Sequence, residues 1–453
     1  MNDKAAGPNS SPRLKRVLGL GDLVYYGIVL LQPVGVIGLY GNASQLSHGH
    51  MATSILVAMT AMMFTAMSYG RMAALYPSAG SAYTYVGRGL NPHLGFLAGW
   101  AMLLDYLVIP AVNVIYGAIS AHELLPSIPK EAWVLLIGVG MTVLNACGIR
   151  WTTRANQAMM VAMIAVVVVF AVAAIRHLLM TGGMQGLFSI APFYHRPQFD
   201  FFAMCTATSF ATAAYIGFDG ITTLAEDTVQ PKRNVPLATV LVCLITGLTA
   251  VLLAYLGQRI TPDTTSFANP DTAFMDIGAK VAGPWLLQAI AVVMAVACFG
   301  SGLTSQAGAA RLLYGMGRDN VLPRAIFGRL DARQSPTFNI CLIGVVAMIG
   351  AFLLSYKHAT FLINFGAFLA FIGVNAAAIR TYWFQPPPGH CRHWLMDLVM
   401  PGLGLLFCFG IWLSLPIPAK ILGGIWVTAG IVYVAIQTRG FRLQPVMLDF
   451  SEE

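Results

Sequence analysis

Twelve stretches of about twenty apolar residues recur along this chain of 453 residues, and a stretch of that length is what an α-helix needs to cross a bilayer. They run over roughly 18–46, 52–75, 93–121, 131–149, 156–180, 202–226, 235–258, 283–313, 337–356, 359–382, 396–415 and 420–438. The expectation is an all-α integral membrane protein with twelve transmembrane helices. Composition agrees: 57% of the residues are hydrophobic and 10% charged, whereas soluble proteins carry about 25% charged residues.

Lys and Arg in the connecting loops give the orientation. With the N-terminus inside, the inner side receives 19 of the 26 basic residues. This asymmetry predicts cytoplasmic N- and C-termini and explains the net charge of +8 without invoking nucleic acid. The seven cysteines at 147, 205, 243, 298, 341, 391 and 408 are scattered with no C-x-x-C pair, so they read as small hydrophobes rather than disulfides or metal ligands. The first seventeen residues are polar and basic, and the apolar run after them is too long for the core of a cleavable signal.

Two of the twelve segments are interrupted. In the sixth, Gly217-Phe218-Asp219-Gly220 sets a carboxylate between two glycines. A charge at that depth costs about 3 kcal/mol or more unless it faces a cavity or a partner. In the first, Gln32-Pro33-Val34-Gly35 breaks the run, because proline gives no N–H to the helix and glycine adds freedom. The breaks lie five helices apart. That spacing predicts a five-plus-five inverted repeat, 18–180 and 202–382, whose broken helices meet at a central site. Two further helices at 396–438 and short cytoplasmic tails, 1–17 and 439–453, complete the expected organisation. Taken singly, each break also reads as a simple kink.

Three motifs carry a family resemblance. Tyr76-Pro-Ser-Ala-Gly-Ser-Ala-Tyr-Thr-Tyr85 resembles the Y-P-x-x-G-G-x-Y-x-Y signature of the amino acid–polyamine–organocation transporters. Gly217-Phe-Asp with Ala225-Glu-Asp and Pro231-Lys-Arg-Asn-Val-Pro236 is similar to their G-F-E…A-E-E…N-P-x-R-x-I-P. Arg311-Leu-Leu-Tyr-Gly-Met-Gly-Arg-Asp-Asn-Val-Leu-Pro323 resembles R-x-x-Y-A-x-A-R-D-G-x-L-P. Within that family the pattern is most similar to bacterial putrescine importers. The resemblance implies a leucine-transporter-like fold in the bacterial cytoplasmic membrane and ion- or proton-coupled movement of small amines or amino acids. Relatives that take amino acids have a glycine-rich break in helix one whose amides hold the substrate carboxylate. Here Pro33 supplies no N–H, which weakens such a nest, although the Gln32 amide remains a donor.

The candidate substrate-binding residues are therefore Gln32, Pro33, Val34 and Gly35 at the first break, Tyr215, Gly217, Phe218, Asp219 and Gly220 at the second, and Asp105 with Tyr106 midway along the third segment. Asp219 suits an ammonium, since a charge pair in a dry site is weakly screened. Asp105 either holds the other end of a diamine, carries the coupling proton, or makes a structural bond to Asn113, Gln32 or a backbone break. Phe218, Tyr215, Tyr106 and Trp100 are available for cation–π contact or plain packing. Ser301, Thr304 and Ser305 are the candidate sodium ligands, as the resemblance implies, but hydroxyls more often bond to their own helix. Arg71 and Glu226 are gate candidates, with topology or a solvated turn as the alternative.

The expected function is import of a small organic cation, putrescine first, with a proton or sodium ion. The alternative is an amino acid permease, and a membrane sensor or channel ranks behind both. No cofactor, metal site or enzymatic activity is expected; the partners are the substrate, the coupling ion and the lipid bilayer.

Overall fold

The computed structural model describes residues 17–445 apart from 78–79, 149–152, 226, 265–266, 319 and 332–333. Helices dominate because apolar side chains face lipid or one another while each helix satisfies its own backbone. In chain order they are α1 (Leu20–Leu31), α2 (Gly35–Leu46), α3 (Met51–Leu75), α4 (Ser81–Gly89), α5 (Pro92–Leu124), α6 (Lys130–Ala146), α7 (Thr153–Leu187) and α8 (Phe201–Ala211). Then follow α9 (Pro231–Ile260), α10 (Ala273–Ala282), α11 (Pro284–Arg318), α12 (Arg324–Phe327), α13 (Thr337–Leu353), α14 (Tyr356–Ile379), α15 (Met400–Leu413) and α16 (Ile417–Gln437). Side-chain caps start several of them. Asn91 accepts from the His93 N–H at 2.8 Å ahead of α5, and Asp200 accepts from the N–H groups of Phe202 and Ala203 ahead of α8.

Among the described residues, nine helical spans are long and apolar enough to cross a membrane, counting α8 with its 3₁₀ continuation to Leu224 and α15 with the π turn from Leu395, and a tenth results if α1 and α2, bent by 50°, count as one. Each of the twelve apolar stretches falls on a helix, but α6 and α13, at 17 residues each, fall short of that length. The supported count is therefore nine to ten. Two helices outrun the apolar stretch that announced them: α11 continues to Arg318, and α7 reaches Leu187 across a break at Gly183, where φ is +57°. Polar turns extend a helix beyond its apolar part without changing hydropathy much. The described residues contain no strand, only an isolated bridge between Leu18 and Thr228.

Two packed groups flank the centre. In one, α3 lies on α9, where a Cβ on Gly70 would collide with Pro236, and α1 lies on α9 and on Ile221, with no room for a side chain at Gly27. In the other, α5 packs against α11, α13 and α14, and a Cβ on Gly366 would stand 2.5 Å from the Ala101 carbonyl oxygen. Small residues let helices approach this closely where lipid supplies no hydrophobic drive. Among the cysteines, Cys243, Cys298 and Cys408 are buried and Cys205 is half-buried, whereas Cys147, Cys341 and Cys391 are exposed.

Candidate functional site: two helix breaks around one cavity

The first interruption falls between α1 and α2. Gln32 takes a positive φ of 50°, and the Gly35 N–H turns back to the Gln32 carbonyl at 2.8 Å. Pro33 has no N–H to offer the Val29 carbonyl one turn earlier. The C-terminal end of α1, with its exposed carbonyls and the negative end of its dipole, therefore lies at the break.

The second interruption follows α8. The chain tightens into a 3₁₀ turn over Thr212–Tyr215, breaks at Ile216 and Gly217, and resumes as a 3₁₀ segment over Phe218–Leu224. Gly217 takes φ +116°, a conformation that side chains disfavour and glycine adopts readily. The two breaks touch: a Cβ on Gly220 would stand 2.8 Å from Leu30 Cδ1. At the far ends of these elements, the Val17 and Leu18 N–H groups donate to the Asp227 carbonyl at 2.9 and 3.1 Å, and the Val229 N–H returns to Leu18. The entrance to α1 and the end of the second broken segment are thus tied together.

A cavity of about 1500 Å³ runs past both breaks. Gln32, Gly35, Asp105, Tyr106, Gly217, Asp219 and Gly220 line it, and so do Ser301, Thr304 and Ser305. Asp105 and Asp219 are 7% and 9% exposed. Asp397 pairs with Arg71 and His390, whereas neither cavity carboxylate has a basic partner among the described residues. The Thr304 and Ser305 hydroxyls donate to the Gly300 and Gly302 carbonyls of their own helix, at 3.0 and 3.2 Å. The Gln32 amide donates to the Ala297 carbonyl at 3.5 Å, which turns that donor toward α11.

Other expected site residues lie elsewhere. Tyr215 is fully buried behind the break, its hydroxyl 3.4 Å from the Ile55 carbonyl of α3. Phe218 is also fully buried and packs against Tyr69 and Phe371, with ring centroids 5.3 Å away in each case. Neither lines the cavity, nor do Pro33 and Val34. Trp100 stacks on Trp426 of α16 at 5.0 Å, away from the cavity. Arg71 pairs with Asp397, which is 1% exposed, and its guanidinium lies 3.9 Å over the Tyr382 ring. Glu226 lies outside the described residues.

One end of the cavity is closed. Tyr116 and Tyr356 meet there with ring centroids 4.8 Å apart, and a Cβ on Gly38 would stand 2.8 Å from the Tyr356 hydroxyl. The opposite end extends to Cys147, Gly148, Arg311 and the loop holding Gln334 and Ser335. The sequence reading missed the tyrosine pair; aromatic residues inside apolar segments carry no periodic mark that sets a lid apart from packing.

A multi-pass helical protein with paired helix breaks around a cavity that holds two buried carboxylates is built as a membrane permease. The chain belongs to the amino acid permease family, whose model matches residues 21–448. It is 33% identical to the low-affinity putrescine importer PlaP of Escherichia coli (strain K12), over 96% of each chain. It is 24% identical to the branched-chain amino acid permease BcaP of Bacillus subtilis (strain 168), over 97% of this chain and 96% of that one. It is 27% identical to the vacuolar cationic amino acid transporter 4 of Arabidopsis thaliana, over 85% of this chain and 66% of that one. The protein is a transporter rather than an enzyme.

Proposed function

We propose that the protein imports a small organic cation, putrescine first, across a bacterial cytoplasmic membrane by secondary active transport. One observation carries this reading: Asp219, at the break of the second interrupted helix, lines a cavity together with Asp105, and neither has a basic partner among the described residues. A buried carboxylate without a countercharge is costly, and a substrate ammonium entering the cavity supplies the charge. The acceptor-rich end of α1 favours the same ligand. An amino acid would also need donors for its carboxylate, whereas Pro33 has none and the Gln32 amide is turned to Ala297.

In this reading twelve helices cross the membrane, with α6 and α13 as the two short spans and 18–180 and 202–382 as inverted repeats. Both termini are cytoplasmic. The cavity then opens toward the cytoplasm past Arg311 and is sealed outside by Tyr116 and Tyr356. The coupling ion is a proton or sodium, with Asp105, Ser301, Thr304 and Ser305 as the groups near its path. Arg71 acts through Asp397, away from the cavity.

The test is uptake into proteoliposomes containing the purified full chain. Labelled putrescine should accumulate and be displaced by unlabelled putrescine, but not by alanine or leucine. Accumulation of an amino acid that putrescine does not compete with would replace this reading with the amino acid permease.

A further inference from the structure

We propose that Asp105 takes the second ammonium of a linear diamine, so that the cavity selects substrates by the separation of two positive charges. This rests on the amine reading above and names the feature that sets its specificity.

Asp105 sits inside α5, and one of its carboxylate oxygens is sealed from solvent without a hydrogen-bond partner. Such an oxygen is expensive in a folded protein unless a proton or a cation neutralises the group. The expected structural partner, Asn113, is engaged elsewhere: its side-chain amide donates to the Ile109 carbonyl at 3.0 Å. Pro110, within the same helix, has no N–H for the Tyr106 carbonyl, the residue next to Asp105. Positions 105 and 106 thus present acceptors without donors. An ammonium, which carries three N–H donors and a positive charge, has the matching chemistry. Because Asp105 and Asp219 belong to different helices that border one cavity, a ligand with an ammonium at each end can engage both at once. Val29, Leu31, Ile109 and Ile216 supply apolar wall for a methylene spacer.

The arrangement also discriminates. A monoamine held by Asp219 would leave Asp105 unpaired. An amino acid would bring a carboxylate toward a second carboxylate, a like-charge contact that opposes binding.

The test is calorimetric binding to the purified full chain, comparing putrescine with n-butylamine, which has the same carbon chain and one ammonium. The wild type should bind putrescine about 30-fold or more tighter. In Asp105→Asn the two affinities should converge to within about threefold, with butylamine binding little changed. A putrescine preference that survives Asp105→Asn would overturn the proposal and leave a proton as the occupant of Asp105. If the variant does not fold, the wild type decides: equal binding of the two amines overturns the proposal alone. Failure of both amines to bind the wild type removes the amine reading and this proposal together.

Discussion

The Asn42 side-chain amide donates a 2.7 Å hydrogen bond to the Asp271 carboxylate, while the Tyr116 hydroxyl donates to the Asp271 backbone carbonyl at 3.1 Å. One residue ahead of α10 therefore ties α2 to α5 at the sealed end of the cavity. Beside it, a Cβ on Gly41 would collide with the Pro270 carbonyl, which is backbone and cannot swing aside.

Gly41→Ala should loosen this seal. Overpacking of about 1–3 kcal/mol corresponds to a shift of about tenfold in the open population. Cys298 lines the cavity, so it can report in a background lacking the other six thiols. An impermeant thiol reagent applied from the sealed side should label it about ten times faster in Gly41→Ala. Equal labelling rates would mean that the contact does not hold the seal.

Asp219→Asn should abolish amine uptake while the purified protein stays monodisperse. Loss of one member of a buried charge pair costs about 2–5 kcal/mol, or roughly 30-fold and upward in affinity. Direct binding of putrescine checks this, and an unchanged dissociation constant would remove Asp219 from the substrate contacts.

Much of this architecture was legible in the residues because lipid imposes a simple rule on them. Apolar length announced the helices, and Pro33 and Gly217 announced the breaks because they deny or distort backbone hydrogen bonds. The polar ends of α7 and α11 were not legible, since helical turns outside the apolar band do not alter hydropathy. Phe218 and Tyr215 were placed correctly along the chain beside the break, but which way each faces depends on α3 and α14, which press on them from distant sequence. Asp397 was overlooked although the reasoning applied to Asp105 covers it: a carboxylate at the start of an apolar segment needs a partner. Arg71 supplies that partner from a helix far away in sequence.

Arg71→Ala should destabilise the protein more than Asp397→Asn or the double variant does. The Asp397 side chain is 1% exposed, and stripping its guanidinium leaves a buried charge whose penalty is about 3–5 kcal/mol. Its other partners, His390 Nε2 at 2.9 Å and the His393 N–H at 2.7 Å, do not replace a permanent cation. Thermal melting of the three variants checks the order. Putrescine affinity of the folded fraction should be unchanged, and a weakened affinity would return Arg71 to a role in gating.

Trp100 and Trp426 hold α5 to α16 by a reciprocal pair of hydrogen bonds, each indole N–H donating to the other residue's backbone carbonyl at 2.9 and 2.8 Å. Their rings stack at 5.0 Å, and Phe96 and Tyr433 extend the stack. Trp426→Phe keeps an aromatic face but removes the second hydrogen bond to the Trp100 carbonyl, which keeps its helical partner within α5, a loss of about 1 kcal/mol. Trp426→Ala also removes the ring and should cost about 3–5 kcal/mol. The melting temperature should therefore fall slightly in the first variant and severely in the second. Neither tryptophan lines the cavity, so Trp426→Phe should bind putrescine within about twofold of wild type, within the scatter expected for uncoupled sites. A larger loss would show that α16 transmits strain to the site through α5, the helix that also carries Asp105.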